Sequence, residues 1–292
     1  MNAQTKMAII AIVVVIPLTS VVVYGTNTNQ EFTSNDNSKL QAISSFNPLH
    51  EFSQIVGGEK IDVTLLVPVG VEPHDWEPTI KDVQQMHKSD FIIINGIGFE
   101  NWVDNLIENN YQGTIVDTSK QIPIKETDPH IWLNPIFAIN QVGNIALAFS
   151  NSDPENGEYY MTNAAKYSEK LHSLDSKIRT DLTDCKRDFI AFHDAFSYFA
   201  DEYDLNQHTI VATTNSHGEV TAKTLENVIS TARELNIKVI FSEESLNTKT
   251  SQIIANEIGG KVLVLSPLEI VSDDNYISKM TQNLENLKEA LC

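Results

Sequence analysis

A chain of 292 residues, 41% of them hydrophobic, can bury a sizeable core, which excludes a disordered protein and suits one large domain or two lobes. Its formal net charge of −19 repels phosphate backbones and so excludes nucleic acid as a partner, while mildly enriching cations near the surface. The two cysteines, Cys185 and Cys292, are too few for a disulfide scaffold or a Cys-rich zinc module; the sequence leaves their pairing open, and the terminal position of Cys292 weighs against it because chain ends fray.

Lys6 precedes an uncharged apolar run from Met7 to about Tyr24, closed by Gly25. Residues 1–25 therefore read as an export signal, either cleaved or kept as a membrane anchor, with the anchor favoured. No cysteine follows the run, so attachment through a lipid-modified cysteine at this point is excluded. Residues 26–39 are polar and suit a flexible tether, and the folded part is expected from Leu40.

From there, short apolar runs alternate with amphipathic ones, the pattern of a parallel sheet with crossover helices. The first lobe, residues 40–151, has predicted strands at Leu40–Ser45, Ile61–Val67, Phe91–Asn95 and Thr114–Asp117. Between them, Gly57-Gly58 ends a helix, Thr79 caps another, and Phe99, Trp102, Val103 and Leu106 share one face of a third. In residues 152–185, Ser152-Asp153-Pro154-Glu155 reads as a helix start, and Tyr160, Ala164, Tyr167, Leu171, Leu174 and Ile178 follow at helical spacing, predicting one long helix to about Leu182. The second lobe, residues 186–292, has predicted strands at Phe189–Phe192, Thr209–Thr213, Val239–Ser242 and Lys261–Leu265, and a last helix from about Asn275 to Leu291. The fold class is thus α/β, two βα lobes with parallel sheets joined by a long helix. A single rigid linker predicts small lobe motions, because wide closure needs hinge positions that absorb large dihedral changes.

Three histidines follow predicted strands: His74 in VEPHDWEP, His130 in DPHIWLNP and His193 in FIAFHDAF. Ligands of open α/β sheets bind beyond the carboxyl ends of the strands, so all three can converge between the lobes, and imidazole is the commonest protein ligand for zinc. Pro73 and Pro129 restrict the backbone directly before two of them. A single histidine at a strand end is more often a structural residue, and no compact motif such as HExxH is present, so the residues alone leave a metal site and a structural role both open. His217 also lies beyond a strand, whereas His50, His87, His172 and His208 read as surface or packing residues. Asp194 is expected to cap the helix that follows it.

The stretches SSFNPLHEF, LLVPVGVEPHDWEPTIKDV, FIIINGIGFENWVDNL, DPHIWLNP, FHDAFSYFADEYDL, FSEESLNTK and KVLVLSPL, in this order, resemble the zinc/manganese-type solute-binding proteins of ABC importers. The resemblance covers nearly everything from residue 40 onward. It implies a metal site in the interlobe cleft with His74, His130 and His193 as the first three ligands, and an extracytoplasmic monomer that delivers its ion to an ABC permease and its ATPase. The family's usual fourth ligand is an aspartate in a motif like LDPL, where this chain has Ser266 in LSPL. Water, Glu243, Glu269 or Asp273 can fill the vacancy; Glu243 is the preferred candidate, with the alternative that it only orients a histidine. The segment from Ser119 to Thr127 is short and holds no histidine, whereas zinc-preferring members of the resembled family often carry a His-rich loop there. Three imidazoles and one oxygen favour Zn2+, with Mn2+ as the alternative, since manganese prefers more carboxylate oxygens. A zinc hydrolase using an open fourth position is the rival function, and a surface protein with a purely structural metal is a third; no motif assigns the general base that hydrolysis needs.

Overall fold

The computed structural model describes residues 39–125, 127–211, 220–244 and 248–292. The apolar N-terminal run and His217 lie outside the described residues. Within the described part, eight strands form two four-stranded parallel sheets.

The first sheet contains β1 (Leu40–Ser44), β2 (Ile61–Leu65), β3 (Phe91–Ile94) and β4 (Thr114–Asp117), in the spatial order β2-β1-β3-β4. The second contains β5 (Asp188–His193), β6 (Asn206–Val211), β7 (Val239–Ser242) and β8 (Lys261–Val264), in the order β6-β5-β7-β8. The two sheets thus repeat one topology, and in each the order reverses between the first and third strands, β1 and β3 or β5 and β7. That reversal opens a crevice at the carboxyl ends of the strands. The inner strand β3 reads FIII and β7 reads VIFS, with every residue buried, as expected of strands covered by helices on both faces.

The helices begin and end where local chemistry allows. α1 (Asn47–Gly57) has a proline in its first turn and stops at Gly58, whose φ of 51° lies in the region glycine tolerates. α2 (Ile80–Met86) starts from a capping box between Thr79 and Asp82. α3 (Val103–Glu108) buries Leu106, and Phe99 and Trp102 pack beside its start. α4 (Pro135–Ser152), an 18-residue helix with no counterpart in the predicted elements, starts from Asn134, whose Oδ1 accepts the Ile136 amide at 2.8 Å. Its carboxyl end is the Ser152-Asp153 pair that reads as a helix start. Pro154–Asn156 form a single 3-10 turn, and the long helix α5 spans Gly157–Leu182. The break is held by Asp153, which accepts from Tyr160 Oη at 2.6 Å and from Asn156 Nδ2 at 2.7 Å. The second lobe adds α6 (Ser197–Glu202), α7 (Ala222–Glu234), α8 (Lys249–Glu257) and α9 (Tyr276–Leu291), the last capped by Asn275. Asp194 does not cap α6 but accepts from Gln207 Nε2 at 3.1 Å.

One continuous apolar core runs through both lobes, from Phe46 and Phe52 through Trp132, Phe149, Tyr160 and Leu171 to Phe241 and Leu287. Trp132, fully buried, lies at the seam: its Nε1 donates to the Pro267 carbonyl at 2.7 Å, and its own carbonyl accepts from Tyr276 Oη at 2.6 Å. Glu51 of α1 accepts from Tyr167 Oη on α5 and from the Tyr276 amide at the start of α9, tying first lobe, linker and second lobe with one carboxylate. Cys185, just beyond α5, forms a disulfide with the terminal Cys292 across a Cα separation of 4.6 Å. Fraying does not leave the end free, because α9 packs down to Leu291, which is 4% exposed. Among the described residues, no helix is long and apolar enough to cross a membrane.

Candidate metal centre

Four segments meet at the carboxyl ends of the two sheets. His74 stands in a 3-10 turn, Pro73–Asp75, on the loop after β2, where Glu72 accepts its amide and the Phe99 ring packs edge-on at 4.7 Å. His130 follows β4 and is held from both sides: Asn95 Nδ2 donates to the Pro129 carbonyl at 2.8 Å, and the Trp132 ring lies 5.1 Å away. His193 is the last residue of β5, so its backbone is fixed by pairing with Val211 on β6. Glu269 comes from the loop between β8 and α9.

The donor atoms converge. His74 Nε2 and His130 Nε2 are 3.2 Å apart, and His193 Nε2 is 3.3 Å from His130 Nε2. Glu269 Oε1 lies 3.3 Å from His74 Nε2 and 3.5 Å from His130 Nε2, and all four side chains offer atoms within 4.8 Å of one another. Four donors at tetrahedral Zn–N and Zn–O distances must lie about 3.3 Å from each other, so these four spacings match a zinc-sized site. The His130, His193 and Glu269 side chains are essentially inaccessible, and His74 is 9% exposed, making it the side facing the mouth.

Behind the donors stand two carboxylates. Asp128 Oδ1 accepts from His130 Nδ1 at 2.7 Å; Asp128 is in turn fixed by Ser197 Oγ and by Tyr198 Oη, which donates to its carbonyl at 2.9 Å. Glu243 accepts from His193 Nδ1. Each contact engages Nδ1 and so directs Nε2 of its ring into the cluster. Glu243, the preferred candidate for the fourth ligand, meets Nδ1 of His193 and is not among the four clustered side chains. Glu243 follows β7, the strand adjoining β5 at the switch point, and so reaches the far side of the His193 ring, while Glu269 stands among the Nε2 atoms. Asp273 is exposed and outside the cluster.

Ser266 does not point into the cluster. Its Oγ donates to Glu244 at 2.7 Å and accepts the Leu268 amide at 3.1 Å, while Asn283 clasps its backbone from both sides. Leu268 is forced to a φ of 64° and is buried, with its carbonyl accepting from Asn47 Nδ2 at 3.3 Å. This tight turn carries the next residue, Glu269, inward.

The electrostatics suit a cation. Burial alone would raise the Glu269 pKa, but hydrogen bonds from His130 and His74 hold it well below the ordinary carboxylate range. Burial likewise opposes charge on His130, yet Asp128 and Glu269 outweigh it and push that ring up to about 9. Burial and the neighbouring Glu269 charge raise Glu72 to about 8. An ionised Glu269 thus faces a His130 ring that favours positive charge, an arrangement in which a dication can take the place of the ring proton.

Sequence reasoning named the three histidines and placed Glu269 only among the alternatives. Asp128 went unnoticed, although an aspartate two residues before a candidate ligand, across a proline, was the available signal.

The family model described as zinc-uptake complex component A, periplasmic, matches residues 43–290. The chain is 35% identical over 295 residues to the high-affinity zinc uptake system protein ZnuA of Bacillus subtilis, covering 91% of this chain and 92% of that protein. It is 32% identical to the zinc-binding protein AdcA of Streptococcus pyogenes over 86% of this chain, and spans 56% of that longer protein. The crystal structure of the metal-dependent lipoprotein YcdH from Bacillus subtilis superposes with a TM-score of 0.79 at 38% identity, over 87% of this chain and 99% of that one. With its fold, its order of motifs and nearly its whole described length in agreement, the chain belongs to the zinc-uptake complex component A family.

Proposed function

We propose that this chain is an extracytoplasmic zinc receptor that holds one Zn2+ with His74, His130, His193 and Glu269 and delivers it to an ABC permease and its ATPase. The observation that carries this reading is that four separations among these donors, which come from both lobes, fall between 3.2 and 3.5 Å. Three neutral imidazoles and one carboxylate suit zinc better than manganese, which prefers more oxygens. Glu269 supplies the negative charge that the change to Ser266 removes. Family membership supports transport over hydrolysis, and the named relatives are zinc-uptake or zinc-binding proteins. The apolar run from Met7 to Tyr24 supports export and anchoring at the outer face of the membrane. Relatives named as lipoproteins support surface attachment, although no cysteine follows the run here.

The test is a competition titration of Zn2+ against Mn2+ on metal-stripped protein spanning residues 39–292. The expected result is one zinc per chain, a large rise in melting temperature, and loss of most of that rise in His74→Ala, His130→Ala or His193→Ala. Unchanged metal content in all three variants would sink the assignment.

A further inference from the structure

Glu100, in the loop between β3 and α3, is a buried carboxylate that the metal centre does not use. Its Oε1 accepts from the Asn95 amide and from Ser45 Oγ, each at 2.7 Å, and its Oε2 accepts from the Gly96 amide at 3.1 Å. Burial pushes its pKa up to about 7 against these donors, and no cation pairs with it among the described residues. What the carboxylate holds is the turn after β3. Gly96, Ile97 and Gly98 take φ values of 88°, 58° and 73°, a left-handed run in which a β-branched residue such as Ile97 is seldom found. The backbone at Gly96 is confined as well, since a Cβ there would lie 2.3 Å from Asp117 Oδ1.

Two contacts run from this turn to the metal ligands. Asn95 Nδ2 donates to the Pro129 carbonyl at 2.8 Å, in the peptide that leads into His130, while Asn95 Oδ1 accepts from Gln141 Nε2 of α4 at 3.1 Å. Phe99, the residue before Glu100, sets its ring edge-on to His74 at 4.7 Å and packs on Trp132 at 5.3 Å. We infer that Glu100 is a positioning residue for zinc: by clamping the left-handed turn it aims Asn95 at the His130 backbone and Phe99 at the His74 ring, so that these two donors meet. The inference rests on the reading of His74, His130, His193 and Glu269 as the zinc site. A four-donor site tolerates displacements of only about 0.5 Å, so a side chain that fixes two of its ligands from behind governs affinity without touching the ion.

The test is a double-mutant cycle on metal-stripped protein, read by zinc competition with a fluorescent chelator. Glu100→Gln keeps the volume but turns one acceptor into a donor that meets a backbone amide head-on; it and Asn95→Ala are each expected to weaken zinc by about tenfold. The double variant is expected to lose about as much as Glu100→Gln alone, rather than roughly a further tenfold, because the two residues act in series. At saturating Co2+, the visible absorption of the bound ion follows donor geometry and is expected to change in Glu100→Gln, whereas a purely structural role would leave it as in the wild type. Cys292→Ser supplies the control, with a lower melting temperature but unaltered affinity and spectrum. Should Glu100→Gln not fold, Glu100→Asp, which draws the carboxylate back by one methylene, takes its place in the cycle. Wild-type affinity in either folded single variant, or losses that multiply in the double variant, would overturn the inference. Zinc stoichiometry of the unmutated chain separates the two readings: one bound ion with Glu100→Gln unaffected sinks this inference alone, and no bound ion sinks the metal centre with it.

Discussion

The Oγ of Ser266 accepts the amide of Leu268 at 3.1 Å, closing the turn that sets Glu269 among three imidazoles. A residue that reads as a lost ligand therefore acts on the site through the backbone, and the charge it fails to supply arrives three positions later.

Exchanging the two roles should fail. Ser266→Asp is expected to give no gain in zinc affinity, because position 266 faces Glu244 at 2.7 Å and a second carboxylate there meets repulsion; the melting temperature should fall instead. Glu269→Gln, in contrast, should weaken zinc by more than about a hundredfold, since loss of even an outer partner costs about 10–100-fold. Fluorescent-chelator competition on both variants distinguishes these outcomes, and tighter zinc binding by Ser266→Asp would contradict the turn argument.

Asp128→Asn and Glu243→Gln keep the shape of the carboxylates but remove their charge. Each should leave one zinc bound while reducing affinity by about 10–100-fold through a less basic, less fixed ring. If Glu243→Gln instead cost as much as Glu269→Gln, Glu243 would have to touch the ion.

Zinc capture should release a proton. With its pKa raised to about 9, His130 carries protons on both nitrogens at pH 7.5 in the metal-free protein, and zinc requires the Nε2 lone pair. Apparent affinity should therefore climb by up to about tenfold per pH unit toward pH 9 and then level off. The same raised pKa stabilises the metal-free fold fully below the ordinary value of 6.5, and that contribution disappears as pH rises through about 9. Calorimetry in buffers of different ionisation enthalpy counts the protons, and a flat affinity from pH 6.5 to pH 9 would be incompatible with this reading.

The Cys185–Cys292 bridge closes a loop of 107 residues that encloses the whole second lobe. Cutting it by reduction, or by Cys292→Ser, should cost about 2–4 kcal/mol and lower the melting temperature by several degrees. Zinc affinity should hardly change, as neither cysteine contributes to the cluster. An unaltered melting temperature would mean that α9 packing alone secures the terminus.

Legibility followed the range of the determining interactions. Strands such as Phe91–Ile94 and Val239–Ser242 announce themselves by local composition, and the helices at Thr79 and Asn275 by their caps. α4 escaped because it is apolar on more than one side, buried between sheet and α5, so its period is blurred; its start at Asn134-Pro135 was nevertheless a readable cap. The choice between Glu243 and Glu269 was not local. It depends on which strands adjoin at the switch point and on the left-handed turn at Leu268, neither of which residue spacing reveals.

His74 and Glu269 stand 195 positions apart in the chain, yet they nearly touch. An ion seated between them fastens early and late parts of the polypeptide together, and the unfolded chain offers it no comparable seat. The loaded receptor is thus expected to be the more protease-resistant species. A cell short of zinc would lose its empty receptors to digestion faster than its full ones, so the lifetime of the protein would itself report on supply.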